Sequence, residues 1–246
     1  MLFSLDDTPP DAPFPEVHFA ETEPNGLLAV GGDLGRKRLL QAYRKGVFPW
    51  FNEDQPILWW SPDPRMVLFT DAMKIPRSLR KVLRNGGFEV SFDQAFDAVI
   101  DACAAPRSGQ DGTWIVPEMR ASYREMHAAG YARSVEVWHD GELVGGLYGV
   151  ALGRVFFGES MFSLRSNASK VALACLCQLL HARGWPLIDC QVYSDHLASL
   201  GAVEIPRRTF NRHLEACIDS TAPPAHWPDV RQAGGDCAPL GVAAHG

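Results

Sequence analysis

The chain has 246 residues, 46% of them hydrophobic and 21% charged, the composition of a globular protein able to bury one large core or two modest ones. Its 23 basic and 29 acidic residues give a formal net charge of −6, which excludes a globally basic nucleic-acid binder but leaves room for a local basic face. No apolar run approaches the ~20 residues of a membrane span. Acids and prolines also occupy the N-terminus where a signal peptide needs bases and then an apolar stretch, so a cytoplasmic protein is expected.

Residues 1–25, with Pro9, Pro10, Pro13, Pro15 and Pro24, read as an irregular arm. Residues 27–30 form a short apolar strand running into Gly31-Gly32, and residues 36–45 carry a helical period with Leu39, Leu40 and Tyr43 on one side. Neither Gly31-Gly32 nor Gly145-Gly146 has phosphate-loop spacing, so both pairs read as turn glycines. Two aromatic segments follow, Phe48-Pro49-Trp50-Phe51 and Trp59-Trp60-Ser61-Pro62. Trp59 and Trp60 read as packing residues, while Trp50 stays open between core and a platform for a base.

A strand over residues 65–69 opens a larger domain. On the helix that follows, Arg77, Arg80, Lys81 and Arg84 fall at i, i+3, i+4 and i+7, opposite Leu79, Val82 and Leu83. An all-basic helix face on an acidic chain points to contact with an anionic backbone. Residues 88–92 read as a strand, 93–104 as a helix, 106–112 as a polar loop delivering Trp114, and 117–129 as a helix. Three strands over 134–138, 143–151 and 154–161 form a meander, and Ser166 or Asn167 caps a long helix to residue 183. Beyond Cys217 the Ala-, Pro- and Gly-rich tail reads as mobile. The six cysteines, Cys103, Cys175, Cys177, Cys190, Cys217 and Cys237, show no metal-ligand spacing, so reduced thiols and no metal are expected.

The strand over 187–192 places Leu187, Asp189 and Gln191 on one face. A carboxylate and an amide on an apolar strand each cost roughly 1–3 kcal/mol if left unpaired, so the pair is either satisfied internally or faces a cleft. On the third meander strand Glu159 and Met161 share a face by the two-residue period. If that strand neighbours residues 187–192, Glu159, Asp189 and Gln191 line one cleft with Leu147 and Met161 as an apolar wall. Such a cleft suits a ligand with a cationic end and a hydrophobic neighbour.

The meander, long helix and strand resemble the GCN5-related N-acetyltransferases, although residues 162–170 lack the glycines of their pyrophosphate turn, which argues against coenzyme A. A narrower likeness covers residues 14–214. Phe-Pro-Trp-Phe, Trp-Trp-Ser-Pro-Asp-Pro-Arg, Gly-Thr-Trp-Ile, Phe-Gly-Glu-Ser-Met-Phe-Ser, Asn-Ala-Ser-Lys and Leu-Ile-Asp-Cys-Gln-Val, in that order, resemble the leucyl/phenylalanyl-tRNA–protein transferase family.

The resemblance implies an α+β chain. A small N-terminal α/β domain (1–64) would precede an acetyltransferase-like mixed-sheet domain with flanking helices (65–217) and a tail (218–246). It implies transfer of Leu or Phe from aminoacyl-tRNA, without a cofactor, to proteins beginning with Arg or Lys, creating a degradation signal; DNA and membrane partners are not implied. It places catalysis on Gln191 with Asp189, acceptor contact on Glu159, and the aminoacyl pocket on Leu147, Phe156, Met161, Leu173 and Leu176. The donor's 3′-adenosine falls to Trp50 and Trp114, and tRNA contact to Arg77, Arg80, Lys81 and Arg84. The family often carries Met where this chain has Leu147, a swap that roughly conserves volume.

Overall fold

The computed structural model describes residues 2–105, 115–219, 222–224, 227–228 and 231–234. The first 60 residues build a four-stranded sheet from β1 (Phe3–Ser4), β2 (Leu27–Val30), β3 (Phe48–Pro49) and β4 (Leu58–Trp60), with α1 (Arg36–Arg44) between β2 and β3. The Pro-rich arm is tied down. Arg38, 2% exposed, donates to Asp33 Oδ2 at 2.9 Å and to the Thr8 carbonyl at 2.8 Å, and Leu5, Phe14 and Val17 are buried. Trp59 is core, as expected: its indole meets Phe14 edge-on and its Nε1 donates to the Gly31 carbonyl. Gly31 and Gly32, at φ 80° and 79°, occupy the left-handed region that suits glycine, so this pair is a turn.

The second sheet begins with β5 (Arg65–Phe69), followed by α2 (Arg77–Asn85), β6 (Phe88–Phe92), α3 (Phe96–Ala104) and α4 (Pro117–Ala128). The meander is β7 (Ala132–His139), β8 (Glu142–Leu152) and β9 (Val155–Ser163), and α5 (Ala168–Ala182) then crosses over to β10 (Leu187–Gln191). Three elements that the sequence reading did not assign follow: α6 (Asp195–Ser199), β11 (Val203–Ile205) and α7 (Arg207–Cys217). The tail is not without structure, since β12 (Arg231–Ala233) pairs antiparallel with β6 and Trp227 stacks on Phe156.

The strand order is β11-β5-β10-β9-β8-β7-β6-β12, and β9 with β10 is parallel, as a helical crossover requires. The α+β class is therefore as expected. One sheet face packs on α3, α4 and the N-terminal unit; the other packs on α2 and α5. Among the described residues no helix is long and apolar enough to cross a membrane.

Several expectations are corrected here. Gly145 and Gly146 are not turn glycines but lie inside β8, where a Cβ on Gly145 would come within 2.4 Å of Ala168 on α5. Gly145 permits close helix–sheet approach, whereas a Cβ on Gly146 would come within 2.6 Å of the Val135 carbonyl on the neighbouring strand. Asn167 precedes α5 at φ 70° and makes no side-chain capping bond. Cys175 is disulfide-bonded, whereas Cys103, Cys177, Cys190 and Cys217 are free thiols and Cys237 lies outside the described residues.

Candidate active site

Two irregularities of the sheet create the site. In the β8–β9 register, Gly149 pairs with Gly158 and Tyr148 with Ser160, so Glu159 is an extra, unpaired residue. In the β5–β10 register, Val67 pairs with Asp189 and Met66 with Gln191, which adopts φ 65°. Both bulges point side chains where a regular ladder would not. Glu159 turns toward Tyr43 and Tyr123, whereas Met161 packs on the opposite face with α5, so these two do not share a face. The period-2 expectation fails because Glu159 is itself the inserted residue, which breaks the alternation on its C-terminal side.

The bulges bring Glu159 and Gln191 together: Gln191 Nε2 donates to Glu159 Oε1 at 3.0 Å. Asp189, fully buried, accepts the Gln191 backbone N–H on Oδ1 at 3.0 Å, so it fixes the backbone from which Gln191 projects. The same carboxylate is gripped by Arg65, whose Nε reaches Oδ1 at 2.8 Å and whose Nη2 reaches Oδ2 at 2.6 Å. Arg65, 1% exposed, spends its third donor on the Gly46 carbonyl, and its guanidinium lies 4.7 Å from the rings of both Phe48 and Phe210. The polar pair noticed in the sequence is thus internally satisfied and also faces a cleft.

Glu159 sits in a buried polar cluster. Tyr43 Oη donates to its Oε1 at 2.8 Å and Tyr123 Oη to its Oε2 at 2.7 Å. Burial, opposed by these two hydrogen bonds, raises its pKa to about 7. Burial first, and then the Glu159 charge, push both tyrosines well above the ordinary phenol range, so they remain donors. Burial likewise raises the Cys190 thiol, the neighbouring Asp189 charge adding to it, which keeps that sulfur protonated.

This cluster forms one end of a cavity of 480 Å³. Its apolar wall contains all five residues expected for the aminoacyl pocket (Leu147, Phe156, Met161, Leu173 and Leu176) together with Ile188 and Leu197. Trp50, 45% exposed, stands at the rim; its carbonyl accepts from Trp60 Nε1 at 2.7 Å, and the two indoles lie 6.0 Å apart. Trp114 lies outside the described residues. Arg77, Arg80, Lys81 and Arg84 are all exposed on α2, whose Leu79 and Leu83 are buried in the core shared with α5. The basic face and the cavity thus flank one helix. In the turn before α5 the Ala168 N–H bonds the Arg165 carbonyl and the Ser169 N–H faces Ser163 Oγ.

Sequence reasoning missed Arg65, Tyr43 and Tyr123. For Arg65 a signal existed: an arginine opening an apolar strand carries the same desolvation problem as Asp189, and each implies the other. The tyrosines carried no such mark, because a tyrosine on an apolar helix face packs equally well with its hydroxyl in water.

A sequence profile described as leucyl/phenylalanyl-tRNA protein transferase matches residues 67–215, and one for that protein's N-terminal domain matches residues 32–63. Proteins named leucyl/phenylalanyl-tRNA–protein transferase are similar over most of their length. The one from Azoarcus sp. is 60% identical across 87% of this chain and 91% of its own, and that from Azotobacter vinelandii 60% across 84% and 91%. Among solved structures, a GCN5-related N-acetyltransferase from Kribbella flavida covers 66% of this chain and 58% of its own at 14% identity, with a TM-score of 0.36. With two profiles spanning the sheet, the bulges and the cavity, and relatives at this identity, the chain belongs to the leucyl/phenylalanyl-tRNA protein transferase family.

Proposed function

We propose that this protein transfers Leu or Phe from aminoacyl-tRNA to the α-amino group of proteins that begin with Arg or Lys, in the cytoplasm, marking them for degradation. The observation that carries this reading is a single cavity with an apolar wall, from Leu147 to Leu176, ending on Gln191 and Glu159. That is the shape of an aliphatic or aromatic side chain joined to a reacting carbonyl, with a cationic amine arriving beside it.

The donor ester is already activated, so orientation is the main requirement, and proximity alone supplies ~7–11 kcal/mol of barrier reduction. The apolar wall holds the aminoacyl side chain, Trp50 and Trp114 take the terminal adenosine, and the α2 basic face takes tRNA phosphates. Glu159 receives the acceptor's cationic end. Gln191 Nε2 gives one of its two N–H groups to Glu159, and the Gln191 carbonyl oxygen accepts a hydrogen bond from the attacking amine. The lone pair of the neutral amine forms the new C–N bond, the ester C–O bond breaks, and one nitrogen proton leaves with the ribose oxygen.

The test is incubation with labelled Phe-tRNA and an Arg-starting peptide. Ribonuclease-resistant label in the peptide is expected, and its absence refutes the reading. An Ala-starting peptide in parallel separates recognition of the first side chain from recognition of any amine.

A further inference from the structure

Three oxygen–oxygen contacts close a ring at the polar end of the cavity. Tyr43 Oη lies 2.8 Å from Glu159 Oε1, Tyr123 Oη lies 2.7 Å from Glu159 Oε2, and the two hydroxyls lie 2.6 Å from each other. Each contact needs one proton to be a hydrogen bond, and two hydroxyls carry only two. With Glu159 ionised, one edge of the triangle is left as two lone pairs facing each other in a buried site. A proton on the carboxyl completes the ring. Glu159 Oε1 already accepts from Gln191 Nε2 at 3.0 Å, so the proton belongs on Oε2. It then points to Tyr123, Tyr123 donates to Tyr43, and Tyr43 donates to Oε1.

We infer that Glu159, Tyr43 and Tyr123 form a proton-accepting unit that removes a proton from the acceptor's α-ammonium before it attacks. The inference rests on the proposed transfer reaction and names the proton step within it. The ammonium gives one proton to the Glu159 carboxylate, leaving a neutral amine and a neutral carboxyl. The amine lone pair then forms the C–N bond, the ester C–O bond breaks, and the second nitrogen proton goes to the departing ribose oxygen. Glu159 returns its proton to water after product leaves.

The surroundings fit this task. The groups facing Glu159 are Tyr43 from α1, Tyr123 from α4, Tyr148 from β8, Arg65 from β5, and Asp189 and Gln191 from β10. Burial dominates. The Asp189 charge adds to it, Arg65 and the two hydroxyls oppose it, and the carboxyl is raised to about 7. A free α-amine titrates at ~7.7–8, so the transfer is nearly balanced. A carboxylate in its ordinary range would hold the ammonium as a fixed ion pair and suppress its nucleophilicity.

The test combines kcat/KM for an Arg-starting peptide, from about pH 5.5 to about 9.5, with infrared titration of carboxyl groups in the free protein. The wild-type profile is expected to rise along an acid limb set by Glu159 and to level off at alkaline pH, where the peptide's amine is already neutral. An acid C=O band is expected to titrate with the acid limb and to vanish in Glu159→Gln. Tyr123→Phe opens the ring, taking away both a bond to Glu159 and the edge between the two hydroxyls, so its acid limb moves along the pH axis, a change that a merely structural tyrosine would not produce. Glu159→Gln is expected to lose ~10²-fold or more near neutral pH and to level off once the amine is neutral. An acid limb unmoved in both variants, or a Glu159 band titrating in the ordinary carboxyl range, overturns the inference. Absence of any transfer by the wild-type protein overturns the underlying reaction instead, and the infrared titration still decides whether the ring holds the proton.

Discussion

Asp189→Asn is the most informative single perturbation, because stability and catalysis part ways at this residue. The native carboxylate is fully buried and carries three bonds: Arg65 at 2.8 and 2.6 Å, and the Gln191 N–H at 3.0 Å. An asparagine oxygen at the Oδ1 position keeps two of them, but its NH2 then meets Arg65 Nη2, donor against donor, and the guanidinium loses its counter-charge. Breaking a buried pair by removing one partner costs about 3–5 kcal/mol. For a chain of this size that corresponds to a Tm lower by roughly 6–20 °C. The double variant Arg65→Met, Asp189→Leu removes both charges together, and such replacements are often neutral or stabilising, so most of the lost stability is expected to return. Activity is not expected to return, because no side chain then holds the Gln191 N–H and the φ 65° bulge relaxes. Urea and thermal unfolding read the first quantity, and transfer of label from Phe-tRNA reads the second. A loss below about 1 kcal/mol in Asp189→Asn, or a double variant both stable and active, would refute the reasoning.

Further outcomes follow from the same geometry. The Arg77→Ala, Arg84→Ala double variant is expected to weaken aminoacyl-tRNA binding and to lower its log–log salt slope by roughly 1.5, with the peptide KM unchanged; fluorescence titration across salt concentrations checks this. Glu159→Gln also changes the pH dependence of stability. The native carboxyl is raised from 4.5 to about 7, so the neutral form favours folding below pH 4.5, and that contribution is lost as pH rises through 7. The wild type should lose on the order of 3 kcal/mol across that window and the variant much less, as measured by urea unfolding at both ends. Trp227 stacks on Phe156, ring centroids 6.0 Å apart, and so backs the cavity wall from outside it. Trp227→Ala is expected to shift the Leu-to-Phe transfer ratio roughly threefold, less than the ~10-fold or more that one methylene in the pocket itself commands, whereas Trp227→Phe restores it; equal loss for both donors assigns Trp227 to stability alone.

The elements legible in the sequence were those with a strong local period. The meander, the long helix and the strand carrying Asp189 and Gln191 fall where alternation and spacing put them. The basic stripe on α2 is exposed as its spacing required. The misreadings share one physical origin, which is that periodicity counts residues and does not see register. A two-position spacing puts Glu159 beside Met161, but the bulge at Glu159 turns the carboxylate to the opposite face. Gly145 and Gly146 read as a turn because glycine's backbone freedom is its usual use, whereas here the missing Cβ lets Ala168 approach β8. Arg65, Tyr43 and Tyr123 are satisfied by partners 36 to 124 residues away, a separation at which no local pattern reports.

That long-range satisfaction also bears on how the two sheets cooperate. A boundary after residue 64 places Tyr43, Gly46, Phe48 and Trp50 in one unit and Arg65, Asp189, Glu159 and Gln191 in the other. The first group completes the second. Tyr43 closes the ring on Glu159, the Gly46 carbonyl takes the donor that Arg65 does not spend on Asp189, Phe48 stacks on the guanidinium, and Trp50 forms the cavity rim. Without residues 1–64 the Arg65 guanidinium would keep its carboxylate but lose its third acceptor and one aromatic face, and Glu159 would keep a single tyrosine. A buried charge that loses its lesser partners still bears the full desolvation cost. The N-terminal unit is therefore in direct contact with the residues that hold Gln191, and in the proposed reaction the small sheet and the large one make a single site.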